Sequence, residues 1–342
     1  MIRYRALSRR AAIFTPPKRG ATGSPSQRHM KFEHWRTALQ WPVAIVFVLA
    51  VVASVPVLAT DADTWKVYEN GYFKAFSNAE ESDALEILRD LEIFRLVSTQ
   101  LSPVYIPEGA LKTLAVIFRT RREFKQHSPQ NQVLGYATFS KNLGIIVSSS
   151  SDRGIEARHV IRHEFVHILQ LYHQARLPNW YREGLAEVLS AVDIQGREFT
   201  VGELPGWRRN RLSKVVSYKK IVRDDFDLTK QSIVTTGADT YWQCWLLTHY
   251  LLFGADDNLK RKFVTYLTLY NEGVRSEDAF TQAFGFESAQ LWPKHLKAYA
   301  SRVPTYRGYY DRNSADTEFS IENAAASELR AILGFLIERS SN

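Results

Sequence analysis

The sequence predicts an α+β fold, a small N-terminal mixed sheet with helices followed by two helices dense in His and Glu and by a C-terminal helical bundle. Two patterns carry that expectation. Short alternating or β-branched runs bounded by turn residues lie before residue 150, whereas periodicity near 3.6 dominates after residue 155. Composition agrees: 45% hydrophobic residues, with 8 Trp, 16 Tyr and 19 Phe, supply a substantial core and exclude wholesale disorder.

Charge narrows the function classes. The 342 residues carry 44 basic and 36 acidic side chains. Nine of the basic residues and one acid, Glu33, precede residue 60, which leaves 35 of each sign in residues 60–342. That body is neutral and lacks the electrostatic footprint of a nucleic-acid binder, so no nucleic-acid partner is expected. The single cysteine, Cys244, excludes an internal disulfide framework and a cysteine-rich metal site.

Residues 1–40 read as a basic leader. Residues 41–59, WPVAIVFVLAVVASVPVLA, are uncharged and almost wholly apolar. They form either a signal peptide cleaved after Val57-Leu58-Ala59 or an uncleaved anchor helix, with membrane contact in the second case. The basic flank stays cytoplasmic in both readings, which places the body outside the cytoplasm, periplasmic or secreted.

Along the body, residues 66–77 alternate around an Asn70-Gly71 turn and read as strands, and Ala84, Ile87, Leu88, Leu91, Phe94 and Leu101 line one helical stripe. Residues 114–118, LAVIF, read as a buried strand and residues 135–148 as a hairpin. Residues 60–200 form an α+β half. A long loop is expected over 201–227, where Trp207 stands among Arg208, Arg209 and Arg211. Helical patterns resume at 242–252, 259–270, 277–284 and 291–299, within a helical half spanning 228–300. Residues 301–342 read as a tail ending in a helix over 324–338.

The strongest chemical signal is His163-Glu164-Phe165-Val166-His167. On a helix, residues four apart share a face, so both imidazoles can reach one ion. Glu164 is offset by about a quarter turn and is placed as a general base for a water at that ion. Val160, Ile161, Phe165, Val166, Ile168 and Leu169 make the helix apolar around most of its circumference. Unpartnered ionisable groups buried there would cost several kcal/mol each, and a cation removes that cost. A catalytic ion needs a third protein ligand, and Glu183 and Glu187 lie four apart on a helix entered at Pro178-Asn179. One of them is expected at the ion and the other behind an imidazole. His159 precedes His163 by four, but helical rise argues that only adjacent His pairs converge on one ion. It is left outside the ligand set, as is His173.

The two segments resemble the gluzincin metallopeptidases, peptidase-MA-like domains similar to thermolysin and the aminopeptidase N family. The resemblance implies zinc as cofactor, His163, His167 and Glu183 as ligands, and Glu164 as catalytic base. Glu183 stands in a W-x-x-E-G pattern, Trp180 to Gly184, and Glu187 then falls behind the ligands. The 16-residue gap from His167 to Glu183 is slightly shorter than in aminopeptidases, while the 20-residue gap to Glu187 is that of thermolysin. Tyr241, 58 residues beyond Glu183, is similar in position to the aminopeptidase tyrosine that hydrogen-bonds the developing oxyanion. A departure lies at Lys141, where the aminopeptidases hold a Glu that grips a free N-terminus. The implied activity is therefore endopeptidase cleavage of a peptide or protein substrate. The competing expectation is a weakly catalytic zinc module that presents its C-terminal helices to an envelope partner.

Overall fold

The computed structural model describes residues 64–102, 112–130, 133–140, 143–152, 154–172, 176–203, 221–224, 237–285, 296 and 298–341. The leader, the apolar run at 41–59, Lys141, His173, the Trp207 and Arg208 cluster and most of the 201–227 segment lie outside these residues. Among the described residues no helix is long and apolar enough to cross a membrane.

The α+β expectation holds. Strands β1 (Lys66–Glu69) and β2 (Phe73–Ser77) form a hairpin. Asn70 makes the turn, its Oδ1 accepting from the backbone N–H groups of Tyr72 and Phe73 at 2.9 and 2.8 Å. Helix α1 (Glu81–Leu101) then crosses to β3 (Thr113–Phe118), which pairs parallel to β2. Helix α2 (Arg121–Gln126) starts on a capping box of Thr120 and Glu123. The hairpin β4 (Gly135–Ser140) and β5 (Leu143–Ser149) follows, with β5 parallel to β3. Every residue of β3 is buried, as a central strand flanked by two parallel neighbours requires.

Helix α3 (Ile155–Leu171) begins after Gly154, whose φ of 112° favours glycine. Helix α4 (Asn179–Ser190) starts behind Pro178. A small antiparallel sheet of β6 (Asp193–Gln195), β7 (Glu198–Val201) and β8 (Tyr306–Tyr309) was not expected from the sequence. Helices α5 (Gly237–His249), α6 (Asp257–Asn271) and α7 (Ser276–Phe284) match the predicted patterns, and α5 runs into a π-turn over Tyr250–Gly254.

The C-terminal residues do more than the expected tail. Besides β8 they supply β9 (Ser320–Asn323), which pairs antiparallel with β1, and helix α8 (Ala326–Ser341). The main sheet therefore has the order β4-β5-β3-β2-β1-β9. Alternation along the strands covers both its faces. Phe76, Leu114, Val116, Phe118 and Val147 pack with Leu329, Leu333 and Leu336 of α8. On the other face Ala75, Ala115 and Ile117 pack with Ala84 and Leu88 of α1, and Ile146 joins Phe94 of α1 and Phe165 of α3. The segment before β9 is tied down by Asp316, whose carboxylate accepts from Gly71 N–H at 2.8 Å and whose own N–H donates to the buried Glu92 at 3.0 Å. This layering leaves α3 lying along the sheet beside the edge strand β4, with α4 and α5 stacked beyond it.

Candidate metal centre

Three helices build the site. Helix α3 turns Phe165, Ile168 and Leu169 into the core and presents His163 and His167 to α4. Helix α4 is held from behind by Trp180, whose indole N–H donates to Tyr266 on α6 at 2.9 Å. It approaches α5 at Gly184, where a Cβ would overlap the Thr248 hydroxyl and the Cys244 carbonyl. Only glycine permits that approach, and it is what brings Glu183 and Tyr241 to the same site.

The structure brings together the three side chains expected as ligands. The two Nε2 atoms of His163 and His167 are 3.2 Å apart, and Glu183 Oε2 lies 3.4 Å from the first and 3.5 Å from the second. Tetrahedral coordination with bonds of about 2.0–2.1 Å separates ligand atoms by about 3.3–3.4 Å. The spacing and chemistry of this triangle of donors therefore fit a zinc-sized divalent ion, which His163, His167 and Glu183 would hold.

Glu187 lies elsewhere. Its Oε1 is 3.3 Å from Nδ1 of His163, the ring nitrogen that points away from the triangle. The distal nitrogen of His167 meets an amide instead, Nδ1 to Gln170 Oε1 at 3.1 Å, and Gln170 Nε2 donates onward to the Arg182 carbonyl at 2.9 Å. The far nitrogen of His167 is thus hydrogen-bonded and that of His163 faces a carboxylate at ion-pair distance, an arrangement that orients both rings. Gln170 has no place in the sequence reading, and Gly184 enters it only as the last residue of the W-x-x-E-G pattern. The first stands three residues after His167 on the same helix, a spacing that could have flagged it.

Electrostatics favour positive charge at the site. Burial disfavours charge on His163, but Glu183 and Glu187 on its two sides outweigh that and push its pKa up to about 10. Burial likewise raises Glu183, yet His163 and His167 hold it well below the usual carboxylate range. A positive charge is strongly favoured between these carboxylates, and a divalent cation can supply it where a proton otherwise would.

Glu164 stays out of the triangle. Its Oε2 accepts from the Ala137 N–H of β4 at 3.0 Å, and β4 is an edge of the main sheet. Tyr241 sits across the site with its ring centroid 6.1 Å from that of His163. Burial, followed by the negative charge of Glu183, Glu187 and Glu164, pushes its phenol pKa up, so the hydroxyl remains a donor. Cys244 is fully buried one turn further along α5, and burial raises its thiol well above the ordinary value, as expected of a packed residue. The chain matches no protein-family profile and none of the curated proteins.

Proposed function

We propose that the chain is a zinc-dependent endopeptidase acting outside the cytoplasm, with His163, His167 and Glu183 as metal ligands and Glu164 as general base. The observation that supports this reading most is the division of labour among the carboxylates. Glu183 closes the triangle, Glu187 backs an imidazole, and Glu164 does neither. A site built only to hold a structural ion has no use for a third carboxylate left beside it.

A bound zinc ion would lower the pKa of a water and polarise the scissile carbonyl. Glu164 would accept a proton from an attacking water and return it to the leaving amine nitrogen. Tyr241 would donate a hydrogen bond from its hydroxyl to the carbonyl oxygen as that oxygen gains charge, keeping its own proton. Glu187 and Gln170 keep the two rings oriented while charge builds in front of them. The outer edge of β4, whose Ala137 N–H faces Glu164, offers backbone groups to an extended chain laid beside it, which favours a peptide over a compact amide.

The test is Glu164→Gln. Zinc content should equal that of the parent protein, and cleavage of a general peptide library should fall by about 10³-fold or more. Undiminished cleavage by this variant rejects the mechanism. One zinc equivalent in the parent with no turnover on any peptide would instead favour a zinc-containing envelope scaffold.

A further inference from the structure

Helix α3 carries a third imidazole, one turn before His163. His159 is 5% exposed, and its Nε2 lies 3.4 Å from Oε2 of Glu187. The other oxygen of that carboxylate, Oε1, is the one 3.3 Å from His163 Nδ1. Glu187 therefore bridges two imidazoles, one in the triangle and one outside it. Ser190 Oγ lies 3.3 Å from the same His159 nitrogen.

We propose that His159 is a positioning residue for the metal centre, acting through Glu187 on the ligand His163. The proposal rests on the metal-site reading above. Its physical basis is torsional. The terminal torsion of a glutamate is broad, so a carboxylate anchored at one oxygen can turn its plane away from a given donor. Anchoring both oxygens fixes that plane and aims one acceptor at His163 Nδ1. Glu187 is 2% exposed, so bulk solvent gives little help in holding it.

The opposite ligand follows the same rule with different chemistry. Gln170 is held at both ends of its amide, by His167 and by the Arg182 carbonyl. Both groups that back the ligands are thus anchored at two points, and His159 supplies the second point for Glu187. His159 Nε2 is separated from the triangle by the carboxylate and the whole ring of His163, whose centroid is 6.4 Å from its own. It cannot serve the same ion.

Zinc affinity tests this, measured by competition with a chromophoric chelator on the full chain and on His159→Leu and His159→Gln. Leucine keeps the bulk and removes the donor, and it should weaken binding by about 10–100-fold while one zinc equivalent remains. Glutamine places its Nε2 near the site of the imidazole Nε2 and should recover most of that loss. With cobalt in place of zinc, the ligand-field absorption bands should shift in the leucine variant and return in the glutamine variant, a change that a mere packing defect would not produce. Should the leucine variant fail to fold, His159→Asn, whose donor is too short to reach Glu187, should bind more weakly than His159→Gln.

Equal affinity in the parent and the leucine variant overturns the proposal and leaves the metal site standing. So does glutamine binding no better than leucine or asparagine. A second zinc equivalent that disappears with His159 would make it a ligand and also overturn the proposal. Absence of zinc binding in the parent would defeat the metal-site reading itself, and this inference with it.

Discussion

Two acid-rich regions lie along helix α3, and they are neutralised in opposite ways. Toward its N-terminal end, Glu86, Asp90 and Asp152 are paired with arginines. Asp90 grips Arg162 through two bonds of 2.9 and 2.5 Å, Arg158 reaches Glu86 at 3.4 Å, and Arg121 holds Asp152 at 2.7 Å. Further along the same helix, Glu183 and Glu187 meet imidazoles. Arginine is always charged and donates in a fixed fork, so the first region is complete as it stands. Neutral imidazole brings no charge of its own, so the second region is complete only with a proton or a metal ion. Adjacent residues show the division most sharply: Arg162 faces Asp90 of α1 and the Val192 carbonyl, while His163 faces the carboxylates of α4.

That comparison can be broken by variants in each region. After Glu164→Gln, the largest effect on stability is expected from Arg162→Leu, which leaves Asp90 without its main partner and the Val192 carbonyl without its donor. We expect a loss of about 3 kcal/mol in chemical denaturation with zinc stoichiometry unchanged. Loss of zinc from a variant that is still folded would show that the two regions are not separable.

Tyr241→Phe sharpens the chemical side. Removing one donor to a developing oxyanion should lower kcat by about 10²-fold with little change in zinc affinity, read from steady-state kinetics and metal titration. An unchanged kcat would reduce Tyr241 to a packing residue.

The remaining effect concerns pH. Without metal, His163 titrates near 10 in the folded protein against 6.5 when unfolded, so its contribution is present below about 6.5 and is lost as pH rises toward 10. Glu183 is depressed below its ordinary 4.5, so its contribution is present above that value and is lost on acidification. The metal-free protein should therefore have its highest Tm between about 4.5 and 6.5 and decline up to pH 10. The zinc-loaded protein should lack the alkaline decline, because the ion replaces the proton. A flat metal-free Tm profile from 6.5 to 10 would contradict this electrostatic account.

Much of the fold was legible where local pattern and burial coincide. The Asn70-Gly71 turn, the apolar LAVIF run of β3 and the apolar stretch of α3 around His163 each announce themselves within a dozen residues. Strand β9 does not. Its four residues are all exposed, and it exists because the backbone of β1, some 250 residues away in sequence, pairs with it and Gly71 ties down the neighbouring Asp316. The sheet of β6, β7 and β8 escapes notice for the same reason, since β8 joins β7 only after the whole helical half has been crossed.

The site divides along a similar line. The spacing of His163, Glu164 and His167 follows from helix geometry alone and could be read directly. The roles of Glu183 and Glu187 could not be separated by spacing, because both lie on one face of α4. What separates them is where α4 crosses α3, and that depends on Gly184 against α5 and Trp180 against α6. Helical rise argues against His159 as a ligand. It stays outside the triangle, but the carboxylate it contacts connects it to the site.

The central claim is that side chains from two neighbouring helices close around one divalent ion. Zinc titration of the metal-stripped chain, alongside His167→Ala, tests it most directly. The account predicts one equivalent bound tightly by the parent and at least 10²-fold weaker binding when His167 is removed. No stoichiometric zinc in the parent, or binding indifferent to His167, would contradict it.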